Sequence, residues 1–228
     1  MSSPFEDTNE GILDFRPRTS NATFKKASDA FVRVTDLEDN VNDARDTINK
    51  LNDTVKKGNA TDAIDAAKEM ATLAKTASES VNAQNHVANA TVVELKRAEL
   101  ELFYANIEWI AKKNILVTAT NRLPRVHQSV NAMILQEIQD KIEYARHDVA
   151  ETQSKVMVKA KNVATLAKEL IDSVVKKVRM QKISARKEKN AAAMRVAENN
   201  SYLNINNMNG GRTKRHRKRT HRKRTHRK

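Results

Sequence analysis

Residues 27–55 read ASDAFVRVTDLEDNVNDARDTINKLNDTV, and the spacing inside this stretch decides the fold class. Ala27, Val34, Val41, Ile48 and Val55 recur every seven residues; Ala30, Leu37, Ala44 and Leu51 recur three places behind them. At 3.6 residues per turn the two rows lie along one stripe of a helix. β-branched residues in the first row, with Leu or Ala in the second, form a coiled-coil seam over four heptads. The partner of that seam is another segment of the chain or a second copy.

The same period continues downstream. Ala67, Ala74, Val81, Ala88, Leu95, Leu102, Trp109 and Leu116 form one row, with Met70, Ala77, Gln84, Thr91, Ala98 and Ala105 beside it. Leu135, Ile142, Val149, Val156, Val163 and Leu170 form another, flanked by Ile138, Ala145 and Leu166, and it fades beyond about Lys177. Only four Gly and three Pro interrupt 228 residues, too few for the turns of a sandwich, barrel or doubly wound sheet. The expected fold is all-α: an elongated antiparallel coiled-coil hairpin of two long helices with a shorter third helix. Gly58 and Pro124 set the expected boundaries, giving helices at about 20–57, 61–120 and 124–198 within a body of 19–198. Gly58 sits at a C-cap position after Lys56 and Lys57, Asn59 or Thr61 can cap the next helix, and Pro124 suits the first turn of the third. Residues 1–18, with Pro4, Gly11 and Pro17, read as an irregular arm.

The helix lengths carry a consequence. The short first helix can cover only part of a hairpin whose arms are each roughly 90 Å long. The half nearer the turn, about 99–145, holds the bulkiest side chains, and apolar residues occupy more than one face there. Phe103, Ile107 and Ile110 stand beside Leu102 and Trp109. Excess apolar surface on a helix pair marks an interaction site, so Phe103, Ile107, Trp109 and Ile110 are the expected homo-oligomer interface.

Chemistry is excluded more firmly than it is suggested. With no Cys there is no disulfide, thiol nucleophile or thiolate site. Glycines only at 11, 58, 210 and 211 leave no phosphate-binding glycine loop and no nucleophile elbow. A turn near residue 122 puts His86 level with about Val158 and His147 level with about Arg97, so His86, His127 and His147 cannot converge on a metal. Asp36, Glu38, Asp39, Asp43 and Asp46 lie on a helix without the glycine turn of a calcium loop, and read as a solvated face. The chain is expected to be no enzyme, with no cofactor, metal or small-molecule substrate. It has no membrane-length apolar run and no secretory leader, so an intracellular location is expected.

Charge is the remaining signal. The net charge is +14, yet residues 212–228, RTKRHRKRTHRKRTHRK, hold 11 of the 42 Lys and Arg and none of the 28 acids. Residues 1–211 are left nearly balanced, with 31 cations against 28 acids, or +3. The cations are Arg212, Lys214, Arg215, Arg217, Lys218, Arg219, Arg222, Lys223, Arg224, Arg227 and Lys228. A block of like charge with nothing to bury is expected to be disordered when free. An Asn-rich linker at 199–211, ending in Gly210-Gly211, should join it to the body. Such a tail matches a polyanion, and without aromatic residues it offers no platform for reading bases. Nucleic acid, DNA or RNA, is the expected partner. His216, His221 and His226 would add charge as pH falls through about 6.5.

The ending from Gly210-Gly211 through the Lys/Arg/Thr/His repeats resembles the tails of uncharacterised virion-associated proteins of large and giant double-stranded DNA viruses. The resemblance covers about 19 residues and implies a structural role in a virion or nucleoid, with capsid or other structural proteins as further partners. Two alternatives stand beside it. The tail can act mainly as a nuclear-localisation signal, which would place the protein in a nucleus. Three long antiparallel helices also resemble BAR domains, which dimerise on anionic membranes, although here the cations lie in the tail rather than on the body.

Overall fold

The computed structural model describes residues 18–82, 90–126 and 132–224, with side chains described within 21–81, 90–121 and 132–202. The described residues are helical, without a strand: α1 (Arg18–Lys57), α2 (Ala60–Asn82), α3 (Ala90–Val126) and α4 (Ala132–Arg224). The arm expected at 1–18 lies outside the described residues apart from Arg18, which already belongs to α1.

The first boundary falls where the sequence puts it. Lys56 and Lys57 close α1, opposite in charge to its C-terminal dipole. Gly58 is needed for room rather than for a left-handed backbone, since no glycine among the described residues has positive φ. Its N–H donates to the Thr54 carbonyl at 2.7 Å, and a Cβ there would lie 2.5 Å from that same oxygen. Asn59 is the cap of α2: its Oδ1 accepts from the Asp62 N–H at 3.0 Å, and its carbonyl accepts from the Ala63 N–H at 2.9 Å.

The second expected helix, 61–120, is two helices. Within one straight helix Lys75 and Glu99 would stand roughly 36 Å apart. Instead Lys75 Nζ meets Glu99 Oε1 at 2.9 Å, so the chain turns back between α2 and α3. The sequence between them, 83–89, reads AQNHVAN and lies outside the described residues.

The third boundary also moves. Pro124 does not open the next helix; α3 runs two residues past it, and α4 begins at Ala132. Pro124 has no N–H to give the Thr120 carbonyl and its ring crowds that carbonyl, and α3 ends two residues later. At the other end α4 passes the boundary expected at 198. Its bounds, Ala132–Arg224, take in the residues read from the sequence as a polar linker and most of the basic tail. Extending a helix requires no new nucleus, and Gly210 and Gly211 cost only about 1 kcal/mol each relative to Ala.

The chain forms two units. In Thr35–Gln181 the core is the heptad rows. Val41, Ile48 and Val55 of α1 are buried, as are Ala67, Met70, Ala74, Ala77 and Val81 of α2. Leu95, Ala98, Leu102 and Trp109 of α3 join them, with Ile142, Ala145, Val156, Val163 and Leu170 of α4. Thr152, buried at a seam position, satisfies its hydroxyl by donating to the Asp148 carbonyl at 2.8 Å. The α4 stripe does not fade at Lys177: Ile171, Val178, Ala185 and Ala192 continue it, one residue out of phase with Leu170.

The second unit joins the chain up to Val34 with residues from Lys182 onward. Its packing is thinner. Lys189 Nζ sits 4.9 Å from the centre of the Phe31 ring. Ala27 and Ala30 face Ala191 and Ala192 across an open groove, edged by Lys26, Glu188 and Arg195.

Candidate functional sites: the outer face of α3 and the basic tail

Two ion pairs fix how α3 lies against α4. Lys112 Nζ meets Asp148 Oδ2 at 2.7 Å, and Lys159 Nζ meets Glu101 Oε2 at 2.8 Å. In both pairs the residue numbers total 260, so the helices run in opposite directions about a level near residue 130. That moves the expected turn from 122, and it places His147 level with about Lys113 rather than Arg97. His86 and His127 lie outside the described residues. Among the described residues no three His, Asp or Glu converge as metal ligands.

The pairs show in the acidities. The Lys159 ammonium, hydrogen-bonded to Glu101, holds that carboxyl below its usual range, with smaller help from Arg97. Lys112 does the same to Asp148 and is itself raised by it. Along α4, Lys155 lowers Glu151 and Lys141 lowers Glu137. All these groups are solvent-accessible, so the pairs set register more than they add stability.

With α3 locked in this way, its two apolar faces separate. Trp109 is 8% exposed, with Lys113 Nζ 4.7 Å from the ring centre. It belongs to the core of its own chain, which removes it from the expected oligomer interface. Its indole Nε1–H is buried without a hydrogen-bond partner. The other three residues expected at that interface, Phe103, Ile107 and Ile110, are exposed at 47–50%. Val93, Leu100, Tyr104, Ile115 and Val117 are exposed as well. Phe103 and Tyr104 pack edge to face, with ring centroids 5.7 Å apart.

The tail is a feature of backbone and charge. Arg212, Lys214, Arg215, Arg217, Lys218, Arg219, Arg222, Lys223 and Arg224 lie on the last turns of α4, whereas Arg227 and Lys228 fall outside the described residues. No helix among the described residues is long and apolar enough to cross a membrane.

No protein-family model, curated protein or solved structure matches this chain.

Proposed function

We propose that this is a structural, self-associating helical protein whose basic C-terminal tail binds nucleic acid without sequence specificity. The observation that carries the reading is the partition of charge, with 11 cations and no acid in residues 212–228 against a net +3 on the remaining 211 residues. Such a segment releases condensed counterions from a phosphate backbone, and arginine adds forked contacts to phosphate. The rows of small and β-branched residues in the helical body suit coiled-coil packing in a hairpin. The exposed apolar residues of α3 supply a surface for a second copy. Dimerisation would bring two tails to one polyanion and raise avidity through effective concentration. The resemblance of the tail to those of virion-associated proteins extends the reading to a virion component.

The test compares the full chain with residues 1–211 on duplex DNA, single-stranded RNA and anionic vesicles. Full-length protein is expected to bind both nucleic acids with little sequence preference. If 6–10 phosphates are neutralised, affinity should fall about 10³–10⁵-fold between 50 and 200 mM salt. The truncated chain should lose most of this binding while the helices of residues 1–211 stay folded. Equal binding by the truncated chain would overturn the reading, as would binding by the full chain to vesicles alone.

A further inference from the structure

The exposed apolar residues of α3 are ordered. Val93, Leu100 and Ile107 recur every seven residues, and Phe103, Ile110 and Val117 recur every seven residues three places behind. All six are between 47% and 61% exposed. This is a second heptad seam on the same helix. Leu100 and Trp109 are nine residues apart, which is two and a half turns, so the second seam lies on the face opposite the buried row of Leu95, Leu102 and Trp109. One helix thus has an inner seam occupied by its own chain and an outer seam left about half exposed among the described residues.

The outer seam has a second property. Reversed about the level of Ala105, the pattern maps onto itself: Val93 onto Val117, Leu100 onto Ile110, Phe103 onto Ile107. Each of these joins an a position to a d position, the pairing made when two heptad helices run antiparallel. The polar members of the same rows, Lys96 and Asn114, map onto each other. Flanking positions bring Arg97 near Ala111 and Glu99 near Lys113, with Tyr104 and Asn106 each near its own counterpart, and no like charges face one another. A two-fold interface requires this self-complementarity, since residue i must meet j while j meets i.

Resting on the self-association proposed above, we infer that the occupant of the outer seam is α3 of a second copy, antiparallel, with the two-fold axis at the level of Ala105. The paired segment, 93–117, is roughly 36 Å long. Its six apolar side chains from each copy form the centre of the interface, and the Lys96–Asn114 layers near each end fix the register in the way single polar layers do in coiled coils.

The full chain has no Cys, so introduced thiols report without background. Facing a and d positions approach within the span of a disulfide, about 4.4–6.8 Å between Cα atoms. Phe103→Cys and Ile107→Cys chains are prepared separately and mixed under oxidising conditions, with Leu100→Cys and Ile110→Cys as a second pair. Sedimentation and circular dichroism are run on each. The expected result is a dimer whose disulfide forms in each mixture and in neither variant alone. Disulfides within single variants would mean parallel pairing and overturn the inference. A dimer that cross-links in neither mixture would overturn the inference and leave self-association standing. A monomer at all concentrations would overturn both.

Discussion

Lys159 and Glu101, 58 residues apart in sequence, meet at 2.8 Å between α4 and α3, and Lys112 with Asp148 repeats the contact eleven residues further along each helix. An apolar heptad seam tolerates sliding by a whole heptad; two ion pairs that obey one register do not. The charges therefore fix what the seam alone leaves free, which is the level at which α3 and α4 align.

That relationship sets a pH dependence. Glu101 and Asp148 are held below their ordinary values of 4.5 and 3.8. A carboxyl whose folded-state acidity is strengthened stabilises the fold above its unfolded pKa and loses that contribution as pH falls through the lowered folded value. Thermal stability followed by circular dichroism should thus decline as pH falls below about 4.5 and keep declining below 3.8. Glu101→Gln with Asp148→Asn should flatten that decline, because the protons linked to unfolding are removed. An unchanged slope in the double variant would show that other carboxylates govern acid unfolding. Lys112, raised above 10.5 by Asp148, contributes in the opposite window: its stabilisation is present below 10.5 and is lost as pH rises beyond its folded value.

Ile48 is fully buried at the centre of the α1 row. Truncation to Ala there should cost about 2–5 kcal/mol, the range for removing a large aliphatic side chain from a packed core. Val32 on the same helix is half exposed, so Val32→Ala should stay within about 0.5 kcal/mol. Denaturant unfolding of the two variants separates the buried row from its flank.

The α1–α2 joint should be intolerant of a single methyl group. At Gly58 a Cβ would lie 2.5 Å from the Thr54 carbonyl oxygen and 3.2 Å from Asp62 Cβ. The carbonyl cannot withdraw without loosening the bond it accepts from Gly58 N–H. Gly58→Ala should destabilise by about 1–3 kcal/mol, the range for overpacking, even though Ala is the better helix former. Asn59→Ala should cost about 1 kcal/mol by removing the cap on the Asp62 N–H. A neutral or stabilising Gly58→Ala would mean that the joint relaxes into continuous helix.

Much of the helix content was legible in the sequence because heptad periodicity needs no tertiary information. Val41, Ile48, Val55, Leu95, Leu102 and Val163 are all buried, as their rows imply. The reversal between α2 and α3 was not legible, because the row Ala67–Ala74–Val81–Ala88–Leu95–Leu102 keeps its period of seven straight through 83–89. Helices that bury the same kind of seam can share one phase while pointing in opposite directions. Pro124 misled in the other sense: it stands near the end of α3, where its crowding of the Thr120 carbonyl helps to stop that helix, rather than at the start of α4. At the α3 site, Phe103, Ile107 and Ile110 were found as an excess of apolar residues, but Trp109 was grouped with them. Size suggested an interface, whereas only the opposing faces of α3 show that Trp109 points inward. The period in Val93, Leu100, Phe103, Ile107, Ile110 and Val117 is readable in the sequence once the inner seam has been assigned and subtracted.

Trp109 is the only tryptophan in the chain, and its burial makes it a reporter that separates folding from assembly. Its emission should be that of a shielded indole in the native protein, and it should shift to the red on unfolding in denaturant. Because the outer seam lies on the opposite face of α3, Ile110→Glu should shift the sedimentation of the protein toward monomer while leaving the Trp109 emission in place. Trp109→Ala should cost about 3–5 kcal/mol, as large aromatic truncations in cores do. Trp109→Phe should cost less than the lost area suggests, because it also removes an Nε1–H buried without a partner, a group whose desolvation penalises the fold by about 1–3 kcal/mol. If Ile110→Glu instead moves the Trp109 emission to the red, the two faces of α3 are not independent, and association and folding occur in one step.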